Sequence, residues 1–333
     1  MKKEVAVIIL NWNGAKLLSE FLPSVCKYTN GDIADVIVVD NGSDDNSIEL
    51  LSAEFPDVKV IAFHENYGFA EGYNRAIAET DYEYSVLLNS DVAVTQHWIE
   101  PMLSYCKNNN NTVACQPKLL SYRDKDQFEY AGACGGYIDS LGYPYCRGRI
   151  FASVEKDNGQ YDTIEDIFWA SGAALFISTE AYRQAGGLDR FFFAHMEEID
   201  LCWRIHLLGY DIKVIPESVV YHLGGGSLPA SNPRKTYLNF RNNLLLLYKN
   251  LPIKEGRKTL FIRRLYDMLA FFMFIAKFDF ANARAIVKAH NDFRTMHNRY
   301  TTHPTVNLLK SPSITPTNIV LDYYLRGRKT YNR

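Results

Sequence analysis

Several acidic and amide side chains of this 333-residue chain follow directly on apolar runs, where strands ending at a ligand pocket would put them. Asp40 closes the run VIVV and precedes Asn-Gly-Ser-Asp-Asp, offering an acceptor to the N–H and hydroxyl groups of a nucleoside. A turn cap, with Asp44 or Asp45 opening the next helix, is the competing reading. Leu87-Leu88-Asn89-Ser90-Asp91 ends another run in a carboxylate whose burial would be costly unless something paired with it. A divalent cation shared with a diphosphate would supply that partner, whereas a helix cap would need none. Between these lies His64-Glu-Asn66-Tyr-Gly68-Phe-Ala70-Glu-Gly72-Tyr-Asn74, with small residues at a strand-to-helix junction. Free N–H groups there suit a phosphate; alternatively the glycines serve close packing. The segment is not Gly-x-Gly-x-x-Gly, which counts against a dinucleotide enzyme.

Further along, His195-Met-Glu197-Glu198-Ile-Asp200-Leu-Cys-Trp-Arg204 gathers three carboxylates at a helix start. Dipole compensation and an Arg204 pairing explain such a cluster. So does general-base catalysis on a hydroxyl, because crowded carboxylates raise one another's pKa. Tyr221-His222-Leu-Gly-Gly-Gly-Ser227 places a lone histidine at a strand end before a glycine run, either as a structural group or as a ligand.

Elements able to hold these groups follow from the periodicity. Runs 5–10, 36–40, 58–63, 84–89 and 112–116 have strand length and are continuously apolar, as in strands covered on both faces of a parallel α/β sheet. Helical spacing between them (Leu17, Leu18, Phe21, Leu22, Val25; Phe69, Tyr73, Ile77, Ala78) makes right-handed βαβ units, whose ligands bind at the carboxyl ends of the strands. Residues 117–165 lack clean periodicity and predict loops and short strands. ALFIS (174–178) predicts a strand, Glu198–Leu208 an amphipathic helix, and residues 211–227 a strand, a turn and a strand. From Pro233 onward the pattern is helical.

The formal charge of −2 is an average of two unlike parts: residues 1–253 hold 21 Lys+Arg against 33 Asp+Glu, and residues 254–333 hold 15 against 5. A body at −12 rules out general binding of nucleic acid, and a tail at +10 asks for an anionic partner. Six cysteines without paired short spacings predict reduced, mostly buried thiols. MKKEVAVIIL is too short in its apolar part for a signal peptide and reads as the first strand of a cytoplasmic protein. Leu265–Ala276, flanked by Arg263, Arg264 and Lys277, is too short to span a bilayer; it predicts either a buried core helix or an interfacial helix on an anionic leaflet.

In this order, VIILNWN, VVDNGSDD, ENYGFAEGYN, LLNSD, WASGAALF, GGLDRFFFAHMEEIDLCWRI and YHLGGGS resemble the nucleotide-sugar glycosyltransferases of family 2, especially rhamnosyltransferase-type members. The resemblance covers roughly residues 4–250. It implies a GT-A fold, an α/β architecture with a Rossmann-like mixed sheet flanked by helices, in which residues 1–250 form the catalytic domain and 251–333 a basic, apolar helical extension. It also implies inverting transfer of one sugar from a nucleotide diphosphate sugar (dTDP-rhamnose or a UDP-hexose), with Mn²⁺ or Mg²⁺, to a growing glycan or lipid-linked glycan. By resemblance, Asn11 and Asn13 line the nucleotide pocket and Asp40 contacts the base, while Asn66, Gly68 and Asn74 shape the donor pocket. Asn89 and Asp91 match the Asp-x-Asp motif, with Asn89 replacing its first acid; Asp91 is then a metal ligand and His222 a second. Glu198 falls on the general base, with Glu197 and Asp200 as substitutes, and Arg241-Asn242 lies near the diphosphate. A nucleotidyltransferase would want a glycine- and lysine-rich phosphate loop, which Asn11-Trp-Asn-Gly is not. A non-catalytic carbohydrate- or nucleotide-binding protein on a decayed transferase fold is suggested only by Asn89.

Overall fold

The computed structural model describes residues 3–224, 232–311, 314 and 317–331. Gly225, Gly226 and Ser227 of the glycine run lie outside them. The N-terminal half alternates β1 (Val5–Asn11), α1 (Ala15–Tyr28), β2 (Ala34–Asn41), α2 (Ser47–Glu54), β3 (Lys59–Phe63), α3 (Gly68–Ala78) and β4 (Tyr84–Asn89). After β5 (Val92–Val94), α4 (Glu100–Asn108) and β6 (Thr112–Ser121), four short strands form a separate antiparallel sheet: β7 (Gly136–Ile138), β8 (Pro144–Cys146), β9 (Arg149–Ile150) and β10 (Ser153–Val154). The chain then returns through β11 (Glu165–Asp166), β12 (Ala174–Ser178), α5 (Thr179–Gln184), α6 (Glu197–Leu207) and β13 (Asp211–His222). Helices α7 (Pro233–Asn250), α8 (Ile253–Ala276), α9 (Phe280–Met296) and the short α10 (Ile319–Tyr324) complete the described part.

The main sheet runs β11-β13-β6-β12-β4-β1-β2-β3, with β5 pairing β13. It is mixed, as the family resemblance implies: β12 inserts antiparallel between β4 and β6. Two departures from the sequence-based expectation have simple causes. β3 is the last strand of the sheet, so only one neighbour covers it and Val60 is 43% exposed despite its apolar run. Residues 211–222 form one strand rather than two; the register against β6 slips between Ile215 and Val219, where Pro216 has no N–H to give the ladder.

Register explains why distant residues meet. Pairing of β1 with β2 sets Asn11 beside Asp40, pairing of β1 with β4 sets Leu10 beside Asn89, and pairing of β13 with β5 sets His222 beside Val92, next to Asp91. One hydrophobic cluster extends from Ile8 and Leu87 through Trp203 and Leu244–Leu247 to Phe293, so the helices after Pro233 share the core of the sheet.

Candidate active site

Asn11 and Asp40 form the floor of a polar cluster at the ends of β1 and β2. Asn11 Nδ2 donates to Asp40 Oδ1 (3.0 Å) and the Ser43 hydroxyl to the same oxygen (2.5 Å), while Ser43 N–H donates to Asp40 Oδ2 (3.0 Å). Asn13, with φ +51°, donates its N–H to Ser43 Oγ and accepts from Asp44 N–H. Asn11 Oδ1 is buried with no hydrogen-bond partner, and a Cβ on Gly14 would collide with it. An unsatisfied acceptor at this depth wants a donor from a ligand.

Asn66 and Gly68 belong to the adjoining loop. Asn41, which nothing in the sequence pattern singled out, donates to Asn66 Oδ1 and to the Gly68 carbonyl and accepts from Tyr67 N–H. Asn74 acts elsewhere, because its amide donates to the Leu188 carbonyl (2.8 Å) and accepts from Leu188 N–H and the Tyr182 hydroxyl. It braces the Gly186–Leu188 turn, and its polar atoms are spent there.

Asp91 and His222, 131 positions apart, meet at 3.1 Å between Oδ1 and Nε2. Burial pushes the Asp91 carboxyl up, but the hydrogen bond and charge of His222 outweigh it and hold the group below its ordinary range. For His222, burial works against the proton, yet Asp91 and Glu129 raise its pKa to about 10. Glu129 Oε1 lies 3.4 Å from His222 Nδ1, an ionic contact too poorly aligned to satisfy that nitrogen as a hydrogen bond. A Cβ on Gly224, at φ +61°, would meet the same Glu129 oxygen at 2.7 Å, so the backbone needs glycine there. Carboxylate oxygen beside imidazole nitrogen suits Mn²⁺ or Mg²⁺, and the orphaned Nδ1 faces a carboxylate, the usual backing of a metal-bound histidine. Among the described residues no three such side chains are arranged to enclose an ion, so further ligands would have to come from the donor itself.

Glu198 and Glu197 begin α6 behind a strained entry: Phe193, His195 and Met196 have φ of +69°, +67° and +76°. Burial raises Glu198 to about 7; Glu197 is lifted well above its ordinary value by burial and then by the charge of Glu198. Each keeps one buried carboxylate oxygen without a partner. His195 is pushed down to about 4, first by burial and then by Lys235, so a neutral imidazole with an unpartnered Nε2 stands beside them. The charge of Glu129 also acts on Lys235, and Glu129 and Glu198 both act on the Cys146 thiol, so the base candidates and the surroundings of the Asp91–His222 pair lie within electrostatic reach of common groups.

The carboxylate of Asp200 is no substitute base. It is fully buried and accepts from Arg204 Nε and Nη2, Lys249 Nζ and Asn250 Nδ2, and these cations overcome burial to hold it ionised. Its role is to pin α6 to α7. Arg241 and Asn242 also differ from their expected place as diphosphate contacts. Asn242 Nδ2 reaches the carbonyls of Phe192, Ala194 and His195 (2.9, 2.8 and 2.7 Å), and Arg241 Nη2 the Phe192 carbonyl while Nε donates to Asn242 Oδ1. Together they clamp the strained loop that aims Glu198. Asn242→Ala is expected to lower stability by about 1–3 kcal/mol in urea unfolding, because three carbonyls lose their donor in a buried place.

The mixed sheet flanked by helices has the GT-A glycosyltransferase fold. Residues 6–154 match the family model described as Glycosyl transferase family 2. It is similar to the N-acetylglucosaminyl-diphospho-decaprenol L-rhamnosyltransferase of Mycobacterium tuberculosis, at 24% identity over 67% of this chain and 76% of that protein. In fold it is similar to S. aureus TarS 1-349 in complex with UDP-GlcNAc (TM-score 0.58, 15% identity, 87% of this chain and 80% of that one). It is also similar to GalNAc-T7 with UDP, GalNAc and Mn²⁺, where the match covers 74% of this chain but only 48% of the other (TM-score 0.56, 15% identity).

Proposed function

We propose that the protein moves one sugar, with inversion, from a nucleotide diphosphate sugar such as dTDP-rhamnose or a UDP-hexose to a hydroxyl of a growing, lipid-linked cell-surface glycan, working at the cytoplasmic face of a membrane. The observation that carries this is Glu198: a buried carboxylate with a free oxygen and a pKa near neutrality. Such a group is ionised often enough to accept a proton and basic enough to take it from a hydroxyl. Asn11, Asn13 and Asp40 hold the nucleoside, with Asn66 and Gly68 shaping the adjoining loop. A single base on the face opposite the leaving group gives direct displacement, hence inversion. Held by Asp91 and His222, Mn²⁺ or Mg²⁺ would neutralise charge gathering on the departing diphosphate. Support for the rhamnosyl and lipid-linked parts comes from the mycobacterial relative, and for the nucleotide and Mn²⁺ from the TarS and GalNAc-T7 structures.

The test is transfer from a panel of UDP- and dTDP-sugars to lipid-linked acceptors with Mn²⁺ present, with the anomeric configuration of the product read by NMR. Turnover with inversion is expected; a retained configuration, or no nucleotide released from any donor, would overturn the reading.

A further inference from the structure

Helix α8 is inside out for a helix at a water-facing surface. Its buried side carries Gly256, Leu260, Arg263 and Asp267, with the Arg263 guanidinium 3.4 Å from the Tyr143 ring centroid and Asp267 Oδ2 3.0 Å from His290 Nε2. Its outer side carries Phe261, Leu265, Met268, Leu269 and Phe272, each 45–64% exposed and spaced as one helical face. At the turn into α9, Phe278 is 81% exposed. Of the two readings of Leu265–Ala276, a buried core helix therefore does not hold: Arg263 and Asp267 face the core and the apolar face lies open. An apolar cleft of about 540 Å³ between α8 and α9 continues this surface. Single exposed leucines need no explanation, but a contiguous apolar face does.

We propose that the α8–α9 hairpin docks on an anionic lipid leaflet, inserting this face and turning the catalytic mouth toward the bilayer. Charge selects that occupant. Arg257, Arg264, Lys277 and Arg284 ring the apolar face, are exposed, and have no ion-pair partner among the described residues. Residues 254–333 carry +10, so a second copy packed on the same face would set like charge against like. A leaflet rich in anionic headgroups satisfies the cations and the apolar side chains together. No described helix is long and apolar enough to cross a membrane, so the attachment is one of insertion into the leaflet surface.

Placement fits the acceptor. Asn282, in the first turn of α9, accepts from the Thr236 hydroxyl (2.5 Å), and the two residues before Thr236 lie at the site: the Arg234 guanidinium is over Phe193, and Lys235 acts on His195. A chain of contacts through Asn282, Thr236 and Arg234 therefore links the turn into α9 to Phe193, in the loop before Glu198. The proposal rests on the reading of a lipid-linked acceptor, since only such a substrate must be met at the membrane.

The test is flotation of the full chain with vesicles of phosphatidylcholine alone or mixed with phosphatidylglycerol. The wild type is expected to float with the anionic vesicles. Leu269→Asp with Phe272→Asp should cut partitioning about a hundred-fold, and Arg257→Glu with Arg264→Glu should remove the anionic preference. All four positions are exposed, and an unchanged circular-dichroism melt confirms that the variants fold. Transfer to a water-soluble acceptor should be equal in every variant. A wild type that ignores both vesicles overturns the proposal, as does flotation untouched by the substitutions, or a wild-type dimer that ignores vesicles and that the Asp pair dissolves. Flotation as expected without sugar transfer by any variant leaves the docking surface standing and defeats the transferase reading instead.

Discussion

Glu198→Gln is expected to keep donor affinity and to lose transfer by about two to four powers of ten, the usual worth of a general base. Glutamine has nearly the same shape and keeps its place in the first turn of α6, so the Arg241–Asn242 clamp and the Asp200 anchor are untouched. Only the proton acceptor is removed. In the wild type kcat/KM should rise with pH through about 7, as Glu198 gives up its proton, and level above it; the Gln variant should lack that limb. Stability should move in the opposite sense. Because burial raises the folded pKa to about 7 from an ordinary 4.5, the folded chain binds more protons than the unfolded one between those values, so stability falls as pH rises across that window. Below it both states are protonated and the penalty vanishes. Glu198→Gln should therefore melt higher than the wild type at alkaline pH, with the gap closing in acid. Unchanged turnover in the variant, or a pH limb that survives it, would assign the base to Glu197 or elsewhere.

Much of this geometry was legible in the sequence because strand ends announce themselves. Asn11, Asp40 and Asn89 each terminate an apolar run, and parallel pairing brings those ends together without further instruction; His222 ends another run, and antiparallel pairing with β5 brings it to Asp91. What could not be read was the far partner of each group. Nothing in the irregular stretch around Glu129 points to a histidine 93 positions later, and nothing near Asp200 points to Lys249 and Asn250, which turn a plausible base into a buried anchor. Arg241 and Asn242 were chemically credible for an anion, but α7 points them at carbonyls of the loop before α6. Periodicity identified Leu265–Ala276 as one helix and left open which way its apolar side would face; the contacts of Arg263 with Tyr143 and of Asp267 with His290 settle that it faces out.

Asp91→Ala should abolish metal-dependent donor binding, weakening it by at least about a hundred-fold, as expected when one member of a buried charged pair is truncated. His222 holds Asp91 in its ionised form, so the wild type presents a hard anionic ligand beside an imidazole. Alanine leaves the imidazole alone with Glu129 behind it, a set too poor in oxygen to favour Mg²⁺ or Mn²⁺. The fold should survive, since the backbone of Asp91, and not its side chain, accepts from Leu223 N–H. In thermal-shift titrations the wild type should gain stability from UDP or dTDP with Mn²⁺ and lose that gain on chelation, while Asp91→Ala should show no gain in either condition. Chelation is the decisive arm, because a variant that merely distorted the nucleotide pocket would also bind poorly. If the wild type binds nucleotide equally well with and without chelator, Asp91 and His222 serve only to neutralise each other, and the charge on the leaving diphosphate must be met by side chains alone.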